Sequence, residues 1–427
     1  MSGNSRRARQ QKLTSIARHG RLRQPSLLAS IAKFFGVAVA VIAVSALAVT
    51  GIAAWDLNRQ IKTVHLAGED RSGNTPEISA IDGGVNLLLV GSDSRANAKY
   101  SYGEDPGSEL NDVNILLHVS EDHTNAVAIS FPRDLYVPIP ECPDGNGGTT
   151  SAMTSEKINT ALLTGGGSAN GGLACVVLTV ESLTGLTIPF AAEISFDGVI
   201  EMSNAIGGVP VCVAQPIQDD HTQLYLDAGV HDLKGMDALK FLRTRYGVGN
   251  GSDITRISSQ QVFLSSLVRK VKSADTLTDI SKLYGLAGAA VRNMTFSNSL
   301  NNIDTMVQIA KALAPIDLGK MVFVQYPSVD SYDGSGLETN QASADALMQA
   351  VLADKPIGLT TNPDENQGSV AAPGTEETPA PTGTDPSATP EPGATTSPDG
   401  VVQLPADVLG QTSAQETCTV GRSLQDQ

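Results

Sequence analysis

The chain has 427 residues, enough for one large domain or two ordinary ones, and 45 acidic side chains against 29 basic ones. With 41% hydrophobic residues it can bury a core, so disorder throughout is excluded. Bulk nucleic-acid binding is excluded by sign: the eight basic residues Arg6, Arg7, Arg9, Lys12, Arg18, Arg21, Arg23 and Lys33 all lie within 1–33, and the chain beyond residue 33 carries 21 basic against 45 acidic residues, a net charge of −24.

After this basic tail comes FFGVAVAVIAVSALAVTGIAAW, residues 34–55, with no charge in 22 positions. As a helix it is about 33 Å long, sufficient for a hydrocarbon core of about 30 Å. A cleaved signal peptide is the competing reading, because SALA resembles a small-residue cleavage site. The basic and apolar parts are both too long for it. The run therefore predicts one uncleaved transmembrane helix. The positive-inside rule then places 1–33 in the cytoplasm and everything after residue 55 outside the cell membrane. All four cysteines, Cys142, Cys175, Cys212 and Cys418, come after the helix, where disulfides persist. Three pairings are open. The simplest joins Cys142, in a loop, to Cys175 on the helices beyond it; Cys212 with Cys418 would then pin the tail to the domain. No pair has zinc-ligand spacing.

Residues 56–79 read as a polar stalk and 80–355 as the extracytoplasmic domain. Val85–Val90 is expected to be a buried strand ending at the turn of Gly91, and 113–120 and 125–134 further strands, the last stopped by Pro132. A Gly/Pro-rich loop over 138–154 precedes helices expected at 155–164, with Ser155 as N-cap, and 173–184, ended by Gly185. TGGGSANGG (164–172) contains glycines without a following lysine, so it is a turn rather than a phosphate loop. Next come a strand over 190–196, a short helix capped by Asp197 and stopped at Gly207-Gly208, and a strand in VPVCVA. Helical spacing returns in 234–245 and, as a longer amphipathic helix capped by Ser252, in 252–274. The alternation predicts a three-layer α/β/α domain with a central mixed sheet. Nine prolines over 363–405 predict an extended or disordered linker (356–405), leaving 406–427 as a tail that docks back through Cys418.

No Walker motif, HExxH pair or GxSxG elbow occurs. What remains is a set of Asp and Arg residues at strand ends and on two helices. Asp93 lies just past a strand, where open α/β sheets place ligands, and Asp112 begins another strand. Two such carboxylates suit a hard cation such as Mg2+, which takes one or two carboxylates plus substrate phosphates. Arg133, Arg243, Arg245 and Arg256 offer forks that match phosphate oxygens. Arg256 and Gln260, spaced i,i+4, share a helix face. Taken singly, each has a plain structural reading: a turn for Asp93, a surface pair with Asp134 for Arg133, a helix-dipole partner for Arg243 and Arg245.

Seven segments in order, however, resemble the LytR-CpsA-Psr (LCP) family: GSDSR (91–95), LND (110–112), SFPRDLY (130–136), KINTA (157–161), GGVPV (207–211), FLRTR (241–245) and DITRISSQQ (253–261). The resemblance implies an extracytoplasmic phosphotransferase of cell wall biogenesis in a Gram-positive-type envelope. Such an enzyme moves a glycopolymer from a polyprenyl-pyrophosphate carrier to peptidoglycan. It further implies Asp93 and Asp112 as metal carboxylates, and Arg133, Arg243, Arg245, Arg256, Gln260 and, less directly, Lys157 as catalytic or pyrophosphate-binding groups. Asp253 would be an orienting acid beside them. Departures from the family pattern are Leu110 where arginine is usual, Val113, Phe241 and a long insertion between Asp93 and Asp112. Arg269, on the same long helix but without a motif match, is expected to be silent when changed to lysine. A carrier pyrophosphatase, a non-catalytic lipid-binding module and a membrane-anchored regulator would share most of these residues.

Overall fold

The computed structural model describes residues 59, 61–66, 84–95, 98–102, 107–273, 288–301, 303–360, 368–373 and 395–427. The apolar run 34–55 and most of the 56–79 stalk lie outside the described residues. Among those described, no helix is long and apolar enough to cross a membrane.

Eight strands build a mixed central sheet. In chain order they are β1 Lys62–Val64, β2 Val85–Ser92, β3 Asn111–Val119, β4 Ala126–Phe131, β5 Phe190–Ile194, β6 Met294–Ser297, β7 Met321–Gln325 and β8 Gly410–Thr412; across the sheet the order is β1-β6-β5-β2-β3-β4-β7-β8. The antiparallel meander β2–β3–β4 sits in the middle, with β5 and β7 joined parallel on its two sides. The continuous apolar run of β2 is what a doubly covered strand requires. Leu88 and Val90 enter one core while Leu87 and Leu89 pack against the other.

Among the described residues, the longer helices that frame the sheet are α1 Gly172–Thr184, α2 Phe196–Ala205, α3 Met236–Arg243, α4 Asp253–Lys272, α5 Ile303–Leu313 and α6 Gln341–Leu352. Helices α1 and α6 cover one face, packing Val176, Val180 and Leu347 against Leu88, Leu116 and Ile129. On the opposite face, Leu264 and Val268 of α4 meet Ile115, Ala128 and Phe323, and Ile309 of α5 meets Val85 and Phe190. This is the expected three-layer order. A second sheet, ordered Gly229–Leu233, Val209–Val213, Thr417–Thr419, Ser369–Ala371, encloses a separate core with Phe241 and Phe263.

Several local expectations are corrected. A strand, Met153–Lys157, takes the end of the expected loop and the start of the helix expected at 155–164, because it pairs antiparallel with Tyr136–Ile139 across the glycine-rich loop; the helical part is the 3-10 turn Ile158–Thr160 followed by Ala161–Thr164. Helix α2 is capped by Ser195, whose hydroxyl accepts from the Gly198 amide, and Asp197 lies in its first turn. The sheets draw on segments either side of 80–355: β1 precedes that span, and Ser369–Ala371, β8 and Thr417–Thr419 lie beyond it. These distant strands find partners only in three dimensions, so local composition does not announce them. Both bridges form, Cys142–Cys175 and Cys212–Cys418, the second between directly paired residues of neighbouring parallel strands.

Candidate functional site

A cavity of about 440 Å³ opens between the ends of β2 and β3 and helices α2, α3 and α4. Its polar side presents Asp112, Arg133, Arg243, Arg245, Arg256 and Gln260; its apolar side runs along Leu89, Ile115, Ile194, Met202, Leu264 and Leu267. One space thus offers a cationic mouth and an oily wall.

The strand ends explain the aim of the acidic groups. Gly91 pairs with Val113 and Ser92 with Asn111, so Asp112 has no residue opposite it. This bulge bends the strand end and frees the Asp112 side chain for the cavity, the habitual use of bulges beside ligand sites. Gly91 permits the crossing, since a Cβ there would lie 2.9 Å from Cβ of Val113. Asn111 is buried and accepts from the Leu162 amide at 2.9 Å while donating to the Ile158 carbonyl at 2.9 Å, which locks the start of β3. Asp93 lies past β2, outside the cavity lining. Its Oδ1 accepts from the Leu110 amide at 2.6 Å. Burial pushes its pKa up, the Leu110 amide opposes this, and the neighbouring Asp112 charge adds to the rise.

The arginines are held by carboxylates behind them. Nη1 of Arg133 donates to Asp112 Oδ1 at 3.0 Å, and the Arg133 amide donates to Asp253 Oδ2 at 3.1 Å. Asp253, buried at the start of α4, also pairs with Arg256 Nη2 at 2.6 Å, and the same nitrogen donates to the Asp112 carbonyl at 3.1 Å. Among the described residues, the buried Nε groups of Arg133 and Arg256 have no hydrogen-bond partner. Arg243 lies 4.4 Å over the Phe196 ring. Burial and the nearby Arg95 charge lower its pKa, an arrangement that favours a bound anion. Arg245 donates from Nε to the Gly251 carbonyl at 2.9 Å, and Gln260 donates to the Leu242 carbonyl at 2.9 Å, tying α3 to α4. Four arginines facing one cavity suit a ligand with several negative oxygens.

A family model, LytR_cpsA_psr, matches residues 56–352. The chain belongs to the LytR_cpsA_psr family. Curated relatives include the cell wall biosynthesis protein LcpA of Corynebacterium glutamicum, 30% identical over 60% of this chain and 52% of that protein. A second, TagT of Bacillus subtilis, is named a polyisoprenyl-teichoic acid–peptidoglycan teichoic acid transferase and is 25% identical over 65% of this chain and 80% of that one. The chain spans about half the length of the first of these relatives. Among solved structures, a LytR-Csp2A-Psr enzyme from Actinomyces oris superposes with a TM-score of 0.50 at 19% identity, covering 68% of this chain and 95% of that one. A Streptococcus agalactiae protein gives 0.51 at 19% identity over 65% and 89%. These structures establish the shared fold.

Of the residues singled out in this LytR_cpsA_psr sequence, Asp112, Arg133, Arg243, Arg245, Arg256 and Gln260 converge on the cavity. Asp253 stands beneath the arginines. Lys157 reaches the cluster only through Asp134, at 3.1 Å. Asp134, read from sequence as a surface partner of Arg133, also lies 4.0 Å from Arg245 Nη1 and braces three cations. Phe196 and Asp219 were not foreseen. Asp219 is buried, accepts from the Thr244 hydroxyl at 2.5 Å, and so ties the Ile217–Asp219 strand to the segment between Arg243 and Arg245. Arg269 is not idle: Nη1 donates to the Ser413 and Gln415 carbonyls at 2.9 and 3.0 Å, holding the C-terminal strands on α4.

Proposed function

We propose that this protein is a membrane-anchored extracytoplasmic phosphotransferase that moves a glycopolymer from a polyprenyl-diphosphate carrier to peptidoglycan through a phosphodiester. The observation that carries the reading is the single cavity in which Arg133, Arg243, Arg245 and Arg256 meet a long apolar wall. A polyprenyl diphosphate has the two matching parts, a compact anion and a hydrocarbon chain. The names of LcpA and TagT support the cell-wall polymer and the peptidoglycan acceptor. The basic tail and the uncharged run 34–55 support the anchor and its orientation.

In the proposed step, an acceptor hydroxyl oxygen bonds to the phosphorus next to the sugar. The bond from that phosphorus to the bridging oxygen breaks, the polyprenyl phosphate leaves with the electron pair, and the hydroxyl proton is released. Charge grows on the bridging and equatorial oxygens, and cations already held in place stabilise it without reorganisation. Arg133 and Arg256, backed by Asp253, are pre-aimed in this sense. Arg243 and Arg245 flank Thr244, which Asp219 holds. The apolar wall excludes water from the lipid side of the diphosphate.

Asp93 and Asp112 fit a magnesium ion. They are hard oxygen donors close enough for the Asp112 charge to add to the raised proton affinity of Asp93, which a cation would relieve, and no third His, Cys, Asp or Glu joins them among the described residues. That leaves coordination positions for phosphate and water, as magnesium prefers. Bound there, the ion would neutralise diphosphate charge.

The test combines purified protein with lipid-linked glycan, magnesium and peptidoglycan fragments. Donor consumption that requires both magnesium and acceptor supports the reading. Consumption that proceeds equally without acceptor, releasing free glycan phosphate, makes the protein a carrier pyrophosphatase instead. Tight lipid binding with no consumption makes it a binding module.

A further inference from the structure

Two features of the chain have no part in the cavity: the glycine-rich stretch 164–172 and the long insertion between Asp93 and Asp112. The structure joins them. The Ser168 amide donates to Glu109 Oε2 at 2.7 Å, and its hydroxyl donates to Glu193 Oε1 and lies 3.3 Å from Ser92 Oγ. Glu109 Oε1 accepts from the Ser94 hydroxyl at 2.7 Å, and the Ser94 amide donates to Ser92 Oγ at 3.0 Å. Both residues flanking Asp93 are therefore held by one cluster. Its carboxylate is held as well, because Leu110, next to Glu109, donates its amide to Asp93 Oδ1.

The anchor of this chain of bonds is rigid. Glu193 lies on β5, paired in register with Val90 of β2, and is buried. Burial raises its proton affinity, and the hydroxyls of Ser168 and Ser92 oppose the rise. Gly167 makes the approach of Glu109 feasible. It has φ +76°, and a Cβ at that position would overlap Glu109 Oε2.

We propose that Ser168, clamped between Glu109 and Glu193, is the positioning residue that sets Asp93 for divalent-cation binding. The proposal rests on the assignment of Asp93 and Asp112 as cation ligands. The glycine-rich stretch is then the cradle of the metal loop, and Glu109, shortly before Asp112, is the side chain that Ser168 grips. Partners bonded directly to a ligating group typically alter metal affinity ten- to a hundredfold when lost; Ser168 acts one step further back, through Ser92, Ser94 and Glu109, so the lower end of that range is expected. The bonds end on the residues flanking Asp93 rather than on the cavity arginines. Loss of Ser168 should therefore separate cation affinity from anion affinity.

The experiment titrates the full chain with Mn2+, read by the loss of the free-ion paramagnetic signal, and separately with a short-chain prenyl diphosphate in the absence of metal. Ser168→Ala should raise the Mn2+ dissociation constant about tenfold, equivalent to about 1.4 kcal/mol. Prenyl diphosphate affinity should stay within about twofold, well below that tenfold step. Ser168→Thr, which restores the hydroxyl, should recover most of the loss. Glu109→Ala, which removes the acceptor shared by the Ser168 amide and the Ser94 hydroxyl, should reproduce it. Unchanged Mn2+ binding in Ser168→Ala and Glu109→Ala overturns the proposal, as does an equal loss of both ligands. A wild-type protein that binds prenyl diphosphate but no Mn2+ overturns the cation reading itself.

Discussion

Replacing Arg256 by lysine keeps the charge and removes the fork. In the structure Arg256 is 5% exposed, and its Nη2 serves both Asp253 Oδ1 and the Asp112 carbonyl. A lysine ammonium can replace those contacts but cannot also present a second planar pair of donors to a phosphate. The expected loss is one charge-assisted hydrogen bond to the ligand, about 1.5–3 kcal/mol. At about 1.4 kcal/mol per decade, that is a fall of roughly ten- to a hundredfold in prenyl diphosphate affinity. The assay is calorimetric titration of wild type, Arg256→Lys and Arg269→Lys, with thermal melting of each. Arg269 belongs to the same helix, but its donors serve the C-terminal strands. Arg269→Lys should therefore lower the melting temperature and leave ligand affinity intact. If Arg256→Lys binds as wild type does, or if both variants lose affinity alike, the arginines form a general basic surface and the pocket reasoning fails.

Asp112→Asn removes the charge of the carboxylate proposed to hold the cation and paired with Arg133; transfer should fall by at least a hundredfold, on the scale of lost transition-state electrostatics, with the fold retained by circular dichroism. Asp219→Asn addresses pH dependence. Burial would raise the Asp219 pKa, but the Thr244 hydroxyl and the amides of Thr222 and His221 outweigh it and hold the group below its ordinary value. Its contribution to stability is thus present above pH 3.8 and is lost as pH falls through the lowered folded value; melting followed from pH 6 to pH 2 should show a shallower acid decline in the variant. Mass spectrometry of unreduced peptides should recover the Cys142–Cys175 and Cys212–Cys418 pairs, and Cys418→Ser should destabilise by roughly 2–5 kcal/mol in denaturant melts, as for native bridges elsewhere. Protease added to intact spheroplasts should digest the chain beyond residue 60 and spare an N-terminal tag, and protection of the C-terminal part would contradict the topology.

What was legible in the sequence was local. The apolar run of Val85–Val90 gave a doubly covered strand, Ser252 gave the cap of α4, and the i,i+4 spacing put Arg256 and Gln260 on one face. These depend on neighbours in the chain. Elements that depend on distant partners were not legible. Residues 155–157 look helical until Tyr136–Ile139 is beside them, and Ser369–Ala371 in a proline-rich stretch becomes a strand only against Thr417–Thr419. The site divides in the same way. Its arginines stood out by their charge and motif order. Among their supports, Asp134 was legible as a partner of its neighbour Arg133 but not of Lys157 and Arg245; Asp219 and Phe196 carry no sequence signal of their own role, because each acts on a residue placed beside it by the fold.

The most direct measurement of the central claim tracks the two phosphorus atoms of the donor. Lipid-linked glycan carrying radiolabelled phosphorus at the sugar-proximal position is incubated with the protein, magnesium and peptidoglycan fragments; a second preparation carries the label at the lipid-proximal position. The account predicts that the first label enters peptidoglycan in a phosphodiester and that the second stays with the polyprenyl phosphate. Label from the sugar-proximal phosphorus that remains with the lipid, with glycan joined to peptidoglycan by its sugar carbon alone, would contradict it.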